Sequence, residues 1–273
     1  MLRRKIAAEL ERWLKSAEQK ALFITGSRQI GKSYSIRAFG KASHATYIEL
    51  NLMEKRQAKD ALLEARDADD FISRVTLLSG KPIAPGKTLV FIDEVQEAPD
   101  IMTMAKFLVE DGRCRWAFSG SMLGTQFKVV RSYPVGYVHE LRMFPLDFEE
   151  FCWAIGVSEG ARQTIHDACI SERPIPDYIH DAMMANFRTY TVVGGMPEVV
   201  QRFLDTRGDL ASVRQLQSEL NEQYRRDISK YASGRALQVQ SIYDQLPLML
   251  EGENKRFVLN SIDPKAHYDK YQR

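Results

Sequence analysis

The sequence predicts an α/β fold, in which a parallel sheet flanked by helices is followed by a mainly helical C-terminal region. Three observations carry this expectation. Short, almost wholly apolar runs such as Thr88-Leu89-Val90-Phe91-Ile92 have the composition of strands covered on both faces. Helix-compatible stretches separate these runs, as parallel βαβ units require. After about residue 145 strand signals thin out and amphipathic helical patterns take over. The expected division is therefore a sheet-bearing domain over 1–150 and a mainly helical region over 151–273.

The elements follow in order. Residues 4–19 carry Ile6, Leu10 and Leu14 at helical spacing with charges between them. Ala21-Leu22-Phe23-Ile24-Thr25 is a buried strand that ends at Gly26, and a helix starts over Ser33 to Phe39. Ala45-Thr46-Tyr47-Ile48-Glu49-Leu50 is a second strand, rich in β-formers. Residues 54–79 read as helix, which Lys81-Pro82-Ile83-Ala84-Pro85-Gly86 ends. Thr88 to Ile92 is the clearest strand, a helix follows near Ile101–Glu110, and Arg115-Trp116-Ala117-Phe118-Ser119 is the fourth strand. Phe144 to Phe148 marks the junction, and Gly194-Gly195-Met196-Pro197 is a turn between two helices. Beyond it, Phe203, Leu204 and the Leu246–Leu250 cluster supply apolar faces without strand alternation.

Composition narrows the function classes. Hydrophobic residues make up 44% of the 273 positions and charged residues 27%, so a sizeable core can be buried. The net charge of +2, from 38 basic and 36 acidic residues, lacks the basic excess of a protein that grips a phosphate backbone. Cys114, Cys152 and Cys169 are odd in number and not at metal-ligand spacing, which favours a reduced cytoplasmic setting over a disulfide framework. Cys152, between Phe151 and Trp153, reads as a buried inert thiol. Met1-Leu2-Arg3-Arg4-Lys5 is not followed by the apolar stretch of a signal peptide, and no apolar run is long enough for a membrane span.

The chemistry concentrates after the first strand. Gly26-Ser27-Arg28-Gln29-Ile30-Gly31-Lys32-Ser33 fits G-x-x-x-x-G-K-[ST]. Its glycines let the backbone wrap so that several N–H groups face phosphate oxygens, and the following helix adds its positive end. Lys32 is expected to reach the β- and γ-phosphates, and the Ser33 hydroxyl to bind Mg²⁺. The expected nucleotide-binding set is Gly26, Ser27, Arg28, Gln29, Ile30, Gly31, Lys32, Ser33 and Tyr34. Arg28 and Gln29 fill free positions of the pattern and receive no separate chemistry from spacing.

Phe91-Ile92-Asp93-Glu94 closes the clearest strand, at the sheet end where ligands of such folds sit. Asp93 is placed to hold Mg²⁺, directly or through water. Glu94 is placed to act as general base on the attacking water, on the opposite side of the chain from Asp93. Ser119, ending the fourth strand in Ser119-Gly120-Ser121, is preferred to Ser121 as a sensor of the γ-phosphate or the attacking water.

These strings, together with Phe91-Ile92-Asp93-Glu94-Val95-Gln96 and Pro145-Leu146-Asp147-Phe148-Glu149-Glu150-Phe151, resemble a group of prokaryotic AAA-superfamily ATPases. Their C-terminal half is a domain of unknown function. Gly194-Gly195-Met196-Pro197-Glu198-Val199-Val200 and Tyr224-Arg225-Arg226-Asp227-Ile228 look like the start of that half. The resemblance covers most of the chain. It implies an AAA-type fold, ATP as the nucleotide and Mg²⁺ dependence. Ser33 stands where Thr is frequent in the group, and Ser119 where Asn or Thr is frequent. Members usually run longer, so the chain is expected to be a shortened form. Arg131 and Arg142 are the candidates for an arginine finger of the kind AAA assemblies use.

The expected function is Mg²⁺-dependent ATP hydrolysis whose nucleotide state is coupled to the C-terminal region. The alternative is a switch or scaffold that binds the nucleotide and turns over slowly. A homo-oligomer or a protein client is the expected partner. Nucleic acid is carried only by the basic–aromatic strings Tyr224-Arg225-Arg226 and Lys255-Arg256-Phe257. A small-molecule kinase is disfavoured by Asp93-Glu94-Val95-Gln96, which suits a water activator.

Overall fold

In a computed structural model of the chain, residues 2–121, 134–231 and 236–251 are described. Two compact units are present, Met1–Arg207 and Gly208–Arg273.

The first unit is built on a five-stranded sheet. Its strands are β1 (Ala21–Gly26), β2 (Thr46–Asn51), β3 (Thr88–Asp93), β4 (Arg115–Ser121) and β5 (Val138–Arg142). The order is β2-β3-β4-β1-β5, and every pair is parallel. β4 therefore lies between the two strands that end in the glycine-rich loop and the acid pair.

Strand alternation divides the core in two. Leu22, Ile24, Leu89 and Phe91 face one side, where they pack with Leu10 and Trp13 of α1 (Ile6–Lys15) and Ile36 of α2 (Lys32–Ser43). Phe23, Val90, Ile92 and Phe118 face the other. There they meet Leu62 of α3 (Arg56–Leu63), Phe71 and Val75 of α4 (Ala68–Ser79) and Leu108 of α5 (Ala105–Asp111). Helices cover both faces, which is why β3 is apolar from Leu89 to Ile92 and wholly buried.

Several elements depart from the sequence expectation. The fifth strand was not foreseen, because Val138-His139-Glu140-Leu141-Arg142 is charged and half exposed. It pairs with β1 at the sheet edge, where charged side chains discourage further strand addition. The single helix expected over 54–79 is two, α3 and α4. Asp67 starts the second by accepting the Asp70 N–H at 2.8 Å, an N-cap that splits the helical pattern. The helix expected near Ile101–Glu110 opens instead as a 3-10 segment over Pro99–Met104 before α5 begins. The first helix is shorter than 4–19.

After β5 the described chain is helical: α6 (Phe148–Ala154), α7 (Glu159–Ile170), α8 (Asp177–Val193) and α9 (Pro197–Asp205) complete the first unit. Phe148, Phe151, Phe187, Tyr190 and Phe203 form a run of ring contacts that joins α6, α8 and α9. The Gly194–Pro197 turn locks onto the strand–helix junction: Leu146 N–H donates to the Gly195 carbonyl at 2.7 Å, and the Tyr190 hydroxyl donates to the Leu146 carbonyl at 2.7 Å. The change of composition near 150 marks where strands stop, while the first unit continues through α9.

In the second unit, α10 (Leu210–Tyr231) and α11 (Ala236–Glu251) pair through Arg225, which donates to Asp244 at 2.9 and 3.1 Å, and through the Tyr243 hydroxyl on Asn221. Leu246, Leu248 and Leu250 of the expected apolar cluster are exposed among the described residues. No helix among the described residues is long and apolar enough to cross a membrane.

Candidate functional site

The loop between β1 and α2 is shaped by two glycines. Gly26 has φ +154°, and a Cβ there would lie 2.4 Å from the Met143 carbonyl oxygen and 2.6 Å from the Ile30 side chain. No other residue fits without moving the end of β5. Gly31, at φ +91°, is the N-cap of α2 and makes no side-chain cap. The first-turn N–H groups of α2 are thus left for another acceptor, the arrangement that favours anions at helix N-termini.

Between the glycines, Ile30 is fully buried and anchors the loop in the core layer of α1 and α2. Gln29 holds a left-handed backbone, φ 63°. Lys32 is buried, and its Nζ donates to the carbonyls of Gly26 at 3.0 Å and Ser27 at 2.7 Å. Burial pushes its pKa below the ordinary lysine value, against the opposing pull of Glu94 and Asp93. Ser33 is half-buried on the first turn of α2, and Tyr34 is exposed beside it. An open cavity of about 400 Å³ is lined by Arg28, Gln29, Gly31, Lys32, Ser33 and Tyr34, with Met53, Glu94 and Glu198 closing its other sides.

Asp93, only 2% exposed, ends β3 facing this loop. Its Oδ1 accepts from the Ser119 hydroxyl and from the Glu94 N–H at 3.0 Å; its Oδ2 accepts from Asn51 Nδ2 at 3.2 Å. Asn51 lies opposite Asp93 in the β2–β3 register, and its own oxygen accepts the N–H groups of Met53 and Glu54. Ser119, fully buried on β4, therefore has the acid as its direct partner.

Glu94 lies one residue past the strand in a left-handed conformation, φ 58°. Its direction comes from that backbone and not, as expected, from strand pleating. Non-glycine residues rarely adopt this conformation, and such residues concentrate at functional sites. Its carboxylate accepts from Gln96 Nε2, and the other end of the buried Gln96 amide accepts the Ser121 N–H at 3.2 Å. The Glu94 side chain is thereby connected to the end of β4.

The structure brings together Gly26, Lys32, Ser33, Asp93, Glu94 and Ser119 at one end of the sheet. It adds residues that the sequence reading did not assign. Asn51 ends the second strand, a position whose partner depends on register. Gln96 belongs to the quoted motif but had no role. Glu198, from α9, comes from far along the chain and, though part of a quoted string, had no role. Of the two arginine candidates, Arg142 ends β5 and lies over the Phe144 ring at 5.0 Å from its centroid, while Arg131 is outside the described residues. Arg225, in the basic–aromatic string, is paired with Glu222 and Asp244; Lys255, Arg256 and Phe257 are outside the described residues.

The donor set fits a hard divalent cation. The Ser33 hydroxyl and the Asp93 carboxylate are oxygen donors of the kind Mg²⁺ takes, usually with several waters retained. Asn51 and Ser119 each donate to one oxygen of the Asp93 carboxylate and fix its orientation.

A family model described as an AAA domain matches residues 18–152, and one described as a domain of unknown function (DUF8612) matches residues 184–272. Among solved structures, the chain is similar to Caenorhabditis elegans PCH-2, with 10% identity, a TM-score of 0.41, and coverage of 78% of this chain and 66% of that one. It is also similar to the Aeropyrum pernix ORC1 protein, solved in complex with DNA, with 14% identity, a TM-score of 0.39, and coverage of 98% and 75%. The chain thus spans just under two thirds of the PCH-2 chain. No curated protein matches the chain.

Proposed function

We propose that this chain, whose residues 18–152 match an AAA-domain model and whose residues 184–272 match a domain of unknown function, binds ATP with Mg²⁺ at the 26–33 loop and hydrolyses it. The observation that carries this reading is the juxtaposition of Lys32 and Glu94 in one cavity, with Asp93 near enough to act on the Lys32 charge. In this reading the N–H groups at the start of α2 and the Lys32 ammonium hold the phosphates. Ser33 and Asp93 hold Mg²⁺, which neutralises phosphate charge when bound. Glu94 accepts the proton of the water that attacks the γ-phosphorus, and the β–γ bridging oxygen leaves on ADP. Ser119 acts through Asp93, which it orients.

The helices behind the junction receive the nucleotide state, since Glu198 of α9 borders the same cavity. We place the protein in a reducing cytoplasm, on its cysteine usage, with a second copy of itself or a protein client as partner.

The slow-switch reading has one specific observation behind it: the Glu94 carboxylate is engaged by Gln96. Nucleotide titration by calorimetry, with and without Mg²⁺, tests the main proposal. ATP should bind tightly only with Mg²⁺ present, and Lys32→Ala should lose that binding. Equal affinity in wild type and Lys32→Ala would refute the site.

A further inference from the structure

We infer that Arg4, in the segment before α1, is a positioning residue that holds the 26–33 loop and ties it mechanically to the strand–helix junction at 143–150. This rests on the reading of that loop as the ATP site.

The Arg4 guanidinium spends its donors on three separate elements. Nη1 donates to the Ile30 carbonyl inside the loop at 2.9 Å, Nη2 to the Phe144 carbonyl after β5 at 2.6 Å, and Nε to Glu150 Oε1 at 3.2 Å. A planar fork of fixed donors can bridge three acceptors in this way, whereas a lysine ammonium on its flexible stem cannot keep that geometry. Its acceptor on α6 is itself fixed. Glu150 is buried, closes the capping box with Asp147, and accepts the Lys5 N–H at 2.6 Å. Lys5 adds ion pairs to Asp147 at 2.6 Å and Glu149 at 2.7 Å. The N-terminal segment is thus clamped to α6, and Arg4 extends that clamp to the loop.

Two further contacts make the loop respond to this end of the sheet. The Met143 carbonyl lies against Gly26, and the Ile30 side chain shares a core layer with Met143 and Met196. Leu146, between them, is bonded to the Gly195 turn that starts α9. A shift of Ile30 on phosphate binding therefore pulls on the Arg4 fork and, through Phe144 and Glu150, on α6 and the turn before α9. Arg4 touches neither substrate nor reacting atoms in this scheme; it sets where the loop carbonyl of Ile30 stands.

The test is a titration with a fluorescent ATP analogue and Mg²⁺, joined to hydrogen–deuterium exchange, on the full chain. Arg4→Ala should weaken nucleotide binding about tenfold, the scale of losing one charge-assisted hydrogen bond, at temperatures well below the melting of both proteins. Arg4→Lys should fall between. In the wild type, nucleotide should slow exchange at 143–151 as well as at 26–33; in Arg4→Ala only 26–33 should respond. Affinity within twofold of wild type in Arg4→Ala overturns the inference, even if the melting temperature drops. If Arg4→Ala does not fold, the wild-type exchange decides: no nucleotide effect at 143–151 overturns it. A wild type that binds no ATP analogue removes the ATP reading and this inference together, which separates that failure from the loss of Arg4's role alone.

Discussion

The Ser119 hydroxyl on β4 donates to the Asp93 carboxylate on β3, and both residues are buried. Among the described residues Asp93 has three hydrogen-bond donors, so Ser119→Ala leaves a buried carboxylate oxygen with one donor fewer. A buried acceptor deprived of a partner costs about 1–3 kcal/mol. In the proposed site the cost falls on Asp93's orientation, and Mg²⁺-dependent ATP affinity should drop by roughly tenfold, while Ser119→Thr keeps most of it. Mg²⁺ titrations at fixed ATP measure this. Normal Mg²⁺ dependence in Ser119→Ala would mean that Asn51 and the backbone suffice.

The pH dependence of binding should carry the signature of Lys32. Burial lowers its pKa, so the free protein loses this proton at a lower pH than an exposed lysine would. Bound phosphate favours the charged form, so binding takes up the proton again, and affinity should decline as pH rises through the lowered value. Affinity measured from neutral to alkaline pH should fall in the wild type before ordinary lysine titration begins. A profile flat up to that range would contradict the buried, charged Lys32.

At Gly195 a methyl group would lie 2.1 Å from the Leu146 carbonyl oxygen, with backbone on both sides of the contact. Gly195→Ala should force the turn before α9 off the junction and destabilise the first unit by roughly 1–3 kcal/mol, as overpacking does. Thermal unfolding followed by circular dichroism reads this. A melting temperature equal to wild type would show that the junction yields freely.

Much of this fold was legible in the sequence, because central parallel strands must be apolar on both faces and β1, β3 and β4 announce themselves that way, while the edge strand β2 was read from its β-formers. β5 was not, because an edge strand is free to be polar and this one is. The division of 54–79 depended on one aspartate, Asp67, whose capping bond reverses a locally helical composition. In the proposed site, Gly26, Lys32, Ser33, Asp93 and Glu94 were named from motif spacing and a strand end, and the structure sets them at one end of the sheet. Asn51, Gln96 and Arg4 act through register, a left-handed turn and contacts more than a hundred residues apart, none of which leaves a periodic trace.

Thiol reactivity should separate the three cysteines. Burial pushes the Cys114 thiol up to about 12 and Cys152 above its ordinary value, so both stay protonated and slow at mildly alkaline pH. Cys169 is exposed on α7 and should be alkylated first. Peptide mass spectrometry after brief maleimide treatment gives the order. Fast labelling of Cys152 in the folded protein would contradict the packing of α6.

The central claim is that Glu94 activates water for ATP hydrolysis, and Glu94→Gln tests it most directly. The substitution keeps size and hydrogen bonding but removes the proton acceptor. Phosphate release and ATP affinity should be measured side by side with wild type and Asp93→Asn. The account predicts near-normal ATP binding and release at least roughly 10²-fold slower in Glu94→Gln, with Mg²⁺-dependent binding weakened in Asp93→Asn. Wild-type phosphate release from Glu94→Gln would contradict it and assign the water to another group.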